Sequence, residues 1–177
     1  MPHSGEEKYW FAMRATYGRA LKARLLLAEK HIQTFVPMRY TSCRSGLRQV
    51  RKLVPVMPNI IFAYVSPDVI KEVKRRVDYL QYIVNKRTGE KIIVPAKDME
   101  RFIAVCGSHD EHLLWLQEED INIEKGTAVR ITGGPFKGQE GVLMKVRGAR
   151  DKRVVIVVKG VVAVALTSIH PTLIEIL

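Results

Sequence analysis

Cys106, His109, Asp110, Glu111 and His112 form the one metal-like cluster of the chain, with thiol, imidazole and carboxylate side by side. A structural zinc site needs four ligands in tetrahedral order, and the remaining cysteine, Cys43, lies in a distant segment. The expectation is therefore no metal and no cofactor, with Cys106 in a core and both histidines solvated. A zinc-dependent enzyme would have to carry stoichiometric metal. Gly133 and Gly138 have the separation of a phosphate loop, but Gln139 stands where that loop requires its lysine, so nucleotide hydrolysis is unsupported. Nor does any serine occupy a nucleophile elbow. With no residues to carry chemistry, the chain reads as a binding protein and not an enzyme.

What is left to act is charge. Over 177 residues the formal net charge is +11. Residues 1–116 hold 20 cations against 11 acids, 117–125 hold 1 against 4, and 126–177 hold 8 against 3. A basic excess draws polyanions through counterion release, although a cationic surface also serves solubility alone. Arg39, Arg44, Arg48, Arg51 and Lys52 are five cations with no acid between Arg39 and Val56, and Ser45 and Gly46 mark a turn among them. This is an exposed basic hairpin or loop: a solvated segment, or one lying beside single-stranded DNA or nascent RNA. Arg75 and Arg76, with Lys74, form a smaller cluster for which surface solvation is the competing account.

Elements must position these groups. Residues 9–15 alternate as a strand, and Leu21, Leu25, Ala28 and Ile32 form a helical stripe. Residues 34–38 read as a second strand that Pro37 confines to an edge, and 59–65 as the most apolar strand of this half. Pro67 and Asp68 open a helix to about Val77, with Val69, Ile70, Val73 and Val77 on one face. Strands at 79–84 and 91–94 flank a hairpin signal at 87–90. Met99, Phe102, Ile103 and Cys106 then fall at helical spacing before Gly107. After the acidic stretch, Val129 and Ile131 alternate with Arg130 and Thr132 until Gly133, Gly134 and Pro135 break the ladder. Runs at 142–146, 154–158, 161–166 and 173–176 complete five short strands, the count of an SH3-like barrel. The fold class is α+β: a mixed sheet with packed helices over 1–116, an acidic linker at 117–125, and a five-stranded β-barrel over 126–177.

Taken in order, these pieces resemble the NusG-type transcription elongation and antitermination factors, with a NusG N-terminal domain and a KOW domain. The resemblance rests on Trp10, Phe11, Ala12, Met13 and Arg14 opening the first strand, and on Pro58, Asn59, Ile60, Ile61, Phe62, Ala63 and Tyr64 in the central one. It rests also on Val94 and Pro95 before the last helix, and on residues 126–142 as the KOW signature. The run 62–70 and the basic insertion before it look like the specialised paralogues of the RfaH or UpxY kind.

The resemblance implies that the N-terminal domain docks on the clamp helices of the RNA polymerase largest subunit and suppresses pausing or termination. It places Ile60, Phe62 and Tyr64, on one strand face, at the polymerase contact, with Phe62 as an exposed anchor; the competing account is that this face is core against a helix. Lys71, Glu72 and Val73 stand where paralogues of the RfaH type carry His-Thr-Thr, so a second bridge would be made by charge, at Lys71. Nucleic acid, DNA or nascent RNA, falls to Arg44, Arg48, Arg51, Lys52, Arg75 and Arg76. The KOW domain is implied to recruit a small-subunit ribosomal protein or a termination factor. Its turn (Gly134, Pro135, Phe136, Lys137, Gly138 and Gly141) offers Phe136 and Lys137 as contacts, the glycines serving backbone geometry. A cytoplasmic monomer without membrane association is expected, since no apolar run reaches the ~18 residues of a membrane span. The competing class is a ribosome-associated KOW protein that binds RNA.

Overall fold

The computed structural model describes residues 6–117, 121–166 and 169–177. Two compact units divide at Met99 and Glu100. In chain order the first holds β1 (Tyr9–Ala15), α1 (Ala20–Glu29), β2 (Gln33–Phe35), β3 (Met38–Ser45), β4 (Arg48–Pro55), β5 (Ile60–Val65), α2 (Pro67–Arg76), β6 (Leu80–Tyr82) and β7 (Ile93–Val94). Helix α3 (Ala96–Cys106) spans the division.

The first unit is an antiparallel sheet in the order β2, β5, β1, β6, with β7 also paired to β1. Its two central strands, β1 and β5, read as nearly continuous apolar runs because both of their faces are buried. On one face Phe11, Met13, Ile61, Ala63 and Leu80 share a core with Ala20, Ala23 and Leu27 of α1 and Ile70 and Val73 of α2. Helix α2 forms as its sequence dictates, with Pro67 at its start, Asp68 in the first turn and Lys74, Arg75 and Arg76 in the last, each complementing the helix dipole. Helix α1 departs from the expected stripe. It is apolar on several sides, so periodicity does not choose a face, and it buries Ala20, Ala23 and Leu27 while Leu25 stays 66% exposed. Alanines at the contact let the helix axis approach the sheet closely.

Strands β3 and β4 stand apart from that sheet as a two-stranded ribbon. This is the basic hairpin expected from the sequence.

The second unit carries β8 (Leu114–Leu116), β9 (Thr127–Ile131), β10 (Glu140–Met144), β11 (Arg153–Val158), β12 (Val162–Ala165) and β13 (Ile174–Ile176). They form one antiparallel sheet in the order β13, β9, β10, β11, β12, β8. The α+β class with a C-terminal β domain agrees with expectation, and the five expected strands are present. The sixth, β8, comes from residues assigned by sequence to the first domain, and the compact units part at 99/100 instead of 117–125. The reason is local: Leu114, Trp115 and Leu116 are apolar enough to cover the open edge of β12, a pairing no short-range signal announces. Of the acidic stretch, 118–120 lie outside the described residues, and Ile123–Lys125 make a single helical turn.

Gly141 is required by close approach, since a Cβ there would meet the Val155 carbonyl oxygen at 2.7 Å and a Val154 methyl at 2.8 Å. The turn between β9 and β10 uses Gly134 and Gly138 at φ +80° and +87°, conformations that side chains rarely adopt. Gly138 N donates to the Ile131 carbonyl at 2.8 Å, and Ile131 N to the Gln139 carbonyl at 2.9 Å.

Candidate functional site

The sheet face opposite the α1 and α2 core is set by register. Phe62 of β5 lies across from Ala12 of β1 and Phe35 of β2, Tyr64 from Trp10 and Gln33, and Ile60 from Arg14. Directly opposed residues share a face, so Ile60, Phe62 and Tyr64 point the same way. Their exposure differs sharply. Ile60 and Tyr64 are half-buried, and the Tyr64 ring sits 5.3 Å from that of Trp10. Phe62 is 0% exposed, as is Ala12, with Trp10 and Val94 buried beside them on that face. The expectation of Phe62 as an exposed anchor is therefore corrected: its ring is packed into the molecule and offers no surface. Phe62 stands on a central strand with buried residues on both faces, a fact periodicity cannot report.

Strands β3 and β4 pair along their whole length, Met38 opposite Pro55 through Ser45 opposite Arg48. Gly46 at φ +64° and Leu47 make the turn, and Leu47 is fully exposed at the tip. Pairing sorts the cations. Arg48, Lys52 and Arg39 project from one face, Arg44 and Arg51 from the other. The Arg51 guanidinium lies 4.6 Å from the centre of the Tyr40 ring, diagonally across the ladder on the same face. A ribbon charged on both sides can meet phosphates on both sides, and its width suits a nucleic-acid groove.

Arg75 and Arg76 are exposed on the last turn of α2, where Glu72 pairs with Arg75 at 3.6 Å and Arg76 at 3.0 Å. Lys71 is exposed one turn earlier. The fold does something here that spacing does not signal. Lys71, Lys74 and Arg75 are brought beside Tyr82 of β6 and Lys91, before β7, around an open cleft of about 290 Å³. Lys74 and Lys71 were legible as an i, i+3 pair of cations, but Tyr82 and Lys91 join them only through tertiary structure.

In the second unit Phe136 is buried, which corrects its reading as a contact residue, while Pro135, Lys137, Gly134 and Gly138 are exposed on the turn. The turn thus sorts its residues by polarity, with the apolar Phe136 ring turned inward and its neighbours left in solvent. Arg130 sits between Glu140 at 2.7 Å and Glu175 at 3.6 Å, on three adjacent strands, and Arg101 of α3 also pairs with Glu140.

The cysteine and histidine cluster does not converge. Cys106 is fully buried, and burial pushes its thiol pKa far up. His112 is exposed against Asp110 at 3.0 Å, whereas His109 is half-buried instead of solvated, held at φ +53° in the turn after α3. Among the described residues no three metal-ligating side chains come together, and no helix is long and apolar enough to cross a membrane.

The fold is thus an α+β unit with a basic ribbon beside its sheet, followed by a small β domain. The family model described as "Transcription termination factor nusG" matches residues 8–103, more than half of the chain. The chain belongs to the NusG family. In the general sense of that family it is a transcription elongation or termination factor. Among solved structures it is similar to "Domain interaction in Thermotoga maritima NusG", at 19% identity over 96% of this chain and 97% of that chain, with a TM-score of 0.47. No curated protein matches it.

Proposed function

We propose that the chain is a transcription elongation and antitermination factor. It binds RNA polymerase through the first unit, suppresses pausing or termination, and recruits a partner through the C-terminal β domain, acting as a KOW module. The observation that carries this is the family match over residues 8–103, which embraces the sheet, the ribbon and α2. With Phe62 sealed, the polymerase contact falls to the partly exposed flanks of the same strand, Ile60 and Tyr64, and to Lys71. The buried Phe62 ring then serves to hold those flanks in place.

The ribbon supplies the nucleic-acid contact, with Arg44, Arg48, Arg51 and Lys52 on an arm that stands apart from the sheet. Its presence also favours a specialised paralogue over a general factor. Lys137 at the exposed turn of the β domain is the residue offered to a ribosomal protein or termination factor.

Sedimentation through a high-salt sucrose gradient tests the reading. The full chain is expected to travel with core polymerase and to stay at the top of the gradient when only ribosomal subunits are present. Travel with ribosomal subunits and not with polymerase would replace this reading with that of a ribosome-associated RNA-binding protein.

A further inference from the structure

Five side chains from three separate segments line the cleft on α2: Lys71, Lys74, Arg75, Tyr82 and Lys91. Among the described residues no carboxylate lines it. The ammoniums of Lys74 and Lys91 lie over the Tyr82 ring, 4.7 and 4.4 Å from its centre. They are thus at most about 9 Å apart, within about one Debye length at physiological salt, and repel each other. The negative face of the ring offsets part of that repulsion and keeps both cations at the cleft.

Each member is positioned. The Tyr82 ring packs against Phe11 of the core at 5.9 Å. Lys74 Nζ donates to Gln81 Oε1 at 3.2 Å, and Gln81 Nε2 donates in turn to the Asp78 carbonyl at 3.0 Å. Lys91 is bridged to Val84 across a closed turn, in which Asn85 N donates to the Glu90 carbonyl at 2.8 Å and Asn85 Oδ1 accepts from Arg87 N at 2.8 Å. Of the two carboxylates on the same helix, Asp68 lies in the first turn and Glu72 is taken up by Arg75 and Arg76.

An aromatic face already covered by two ammoniums gives a base nothing to stack on. What it presents is concentrated positive charge. We infer that this cleft binds phosphate groups of a single nucleic-acid strand, as a second contact in addition to the ribbon. The cleft, open and near the lower limit of about 300 Å³ for pockets that enclose a ligand, buries too little of a free phosphate compound to offset its association cost. A strand already engaged by the ribbon meets that cost once, and the cleft then adds to its hold at high effective concentration. The inference rests on the nucleic-acid part of the proposed function and is independent of polymerase binding.

The test uses the purified full chain and a labelled oligothymidylate of about 15 nucleotides, titrated by fluorescence anisotropy across a range of salt. Lys74→Gln with Lys91→Gln is expected to flatten the slope of log affinity against log salt by about 1.4, the loss of two phosphate contacts to a single strand. The melting temperature should be unchanged, and the Lys74→Arg, Lys91→Arg protein should restore the slope. An unaltered slope in the glutamine variant, while Arg44→Gln, Arg48→Gln and Arg51→Gln together flatten it, overturns the cleft and leaves the ribbon standing. An unaltered slope in both variants overturns the ribbon reading as well. If the glutamine variant loses inorganic tripolyphosphate binding in calorimetry but keeps the strand slope, the strand assignment is overturned in favour of a free polyphosphate.

Discussion

Strand β5 and the β3–β4 ribbon lie in one unit and obey one backbone geometry, yet they put their side chains to opposite uses. Of the six residues of β5 four are buried, including Phe62 at the centre of the sheet. The ribbon buries only Met38 of its sixteen strand residues and carries five cations, held by its own ladder and a glycine turn. A residue in the first setting reaches function only through the stability of the fold. One in the second can be exchanged with little effect on the fold and changes what the surface attracts. The difference teaches that the proposed polymerase contact and the proposed nucleic-acid contact must be probed by different kinds of mutation.

Phe62→Ala is the strongest way to break this contrast. Deletion of a wholly buried ring is expected to cost about 3–5 kcal/mol in urea unfolding, so that any loss of polymerase binding follows unfolding. A cost below about 1 kcal/mol would show that water reaches the ring and would return Phe62 to the surface. Gly141→Ala sharpens the comparison in the second unit, because its new methyl would press on the Val155 backbone oxygen, which cannot swing away. About 1–3 kcal/mol of destabilisation is expected from thermal or urea unfolding. The smallest effect on folding belongs to the ribbon. Neutralising Arg44, Arg48 and Arg51 to Gln should change stability by no more than about 0.5 kcal/mol. The same variant should flatten the salt slope of single-strand binding by about 2, a measurement that separates charge from fold.

Much of the first unit was legible because its strands and helices obey local rules. Strand β1 falls at residues 9–15, as its alternation requires, and α2 starts at the proline that its dihedral favours. The five valine-rich or glycine-punctuated strands of the β domain were equally plain. Misreadings came where several faces were apolar at once. In helix α1 the expected stripe of Leu21, Leu25 and Ala28 gave way to a buried face of Ala20, Ala23 and Leu27. Leu114, Trp115 and Leu116 carry no signal of a distant partner, yet they pair with β12.

The order of the chain alone determined the class of fold, the two β-rich regions and the basic ribbon, because each depends on propensity, periodicity or charge within a short window. Tertiary structure alone decided that Phe62 and Phe136 face inward, that β8 joins the second sheet, and that Tyr82 gathers Lys74 from a helix and Lys91 from the end of a turn. Burial and cross-segment contact are properties of which surfaces meet, and nothing in a window of neighbouring residues encodes the meeting.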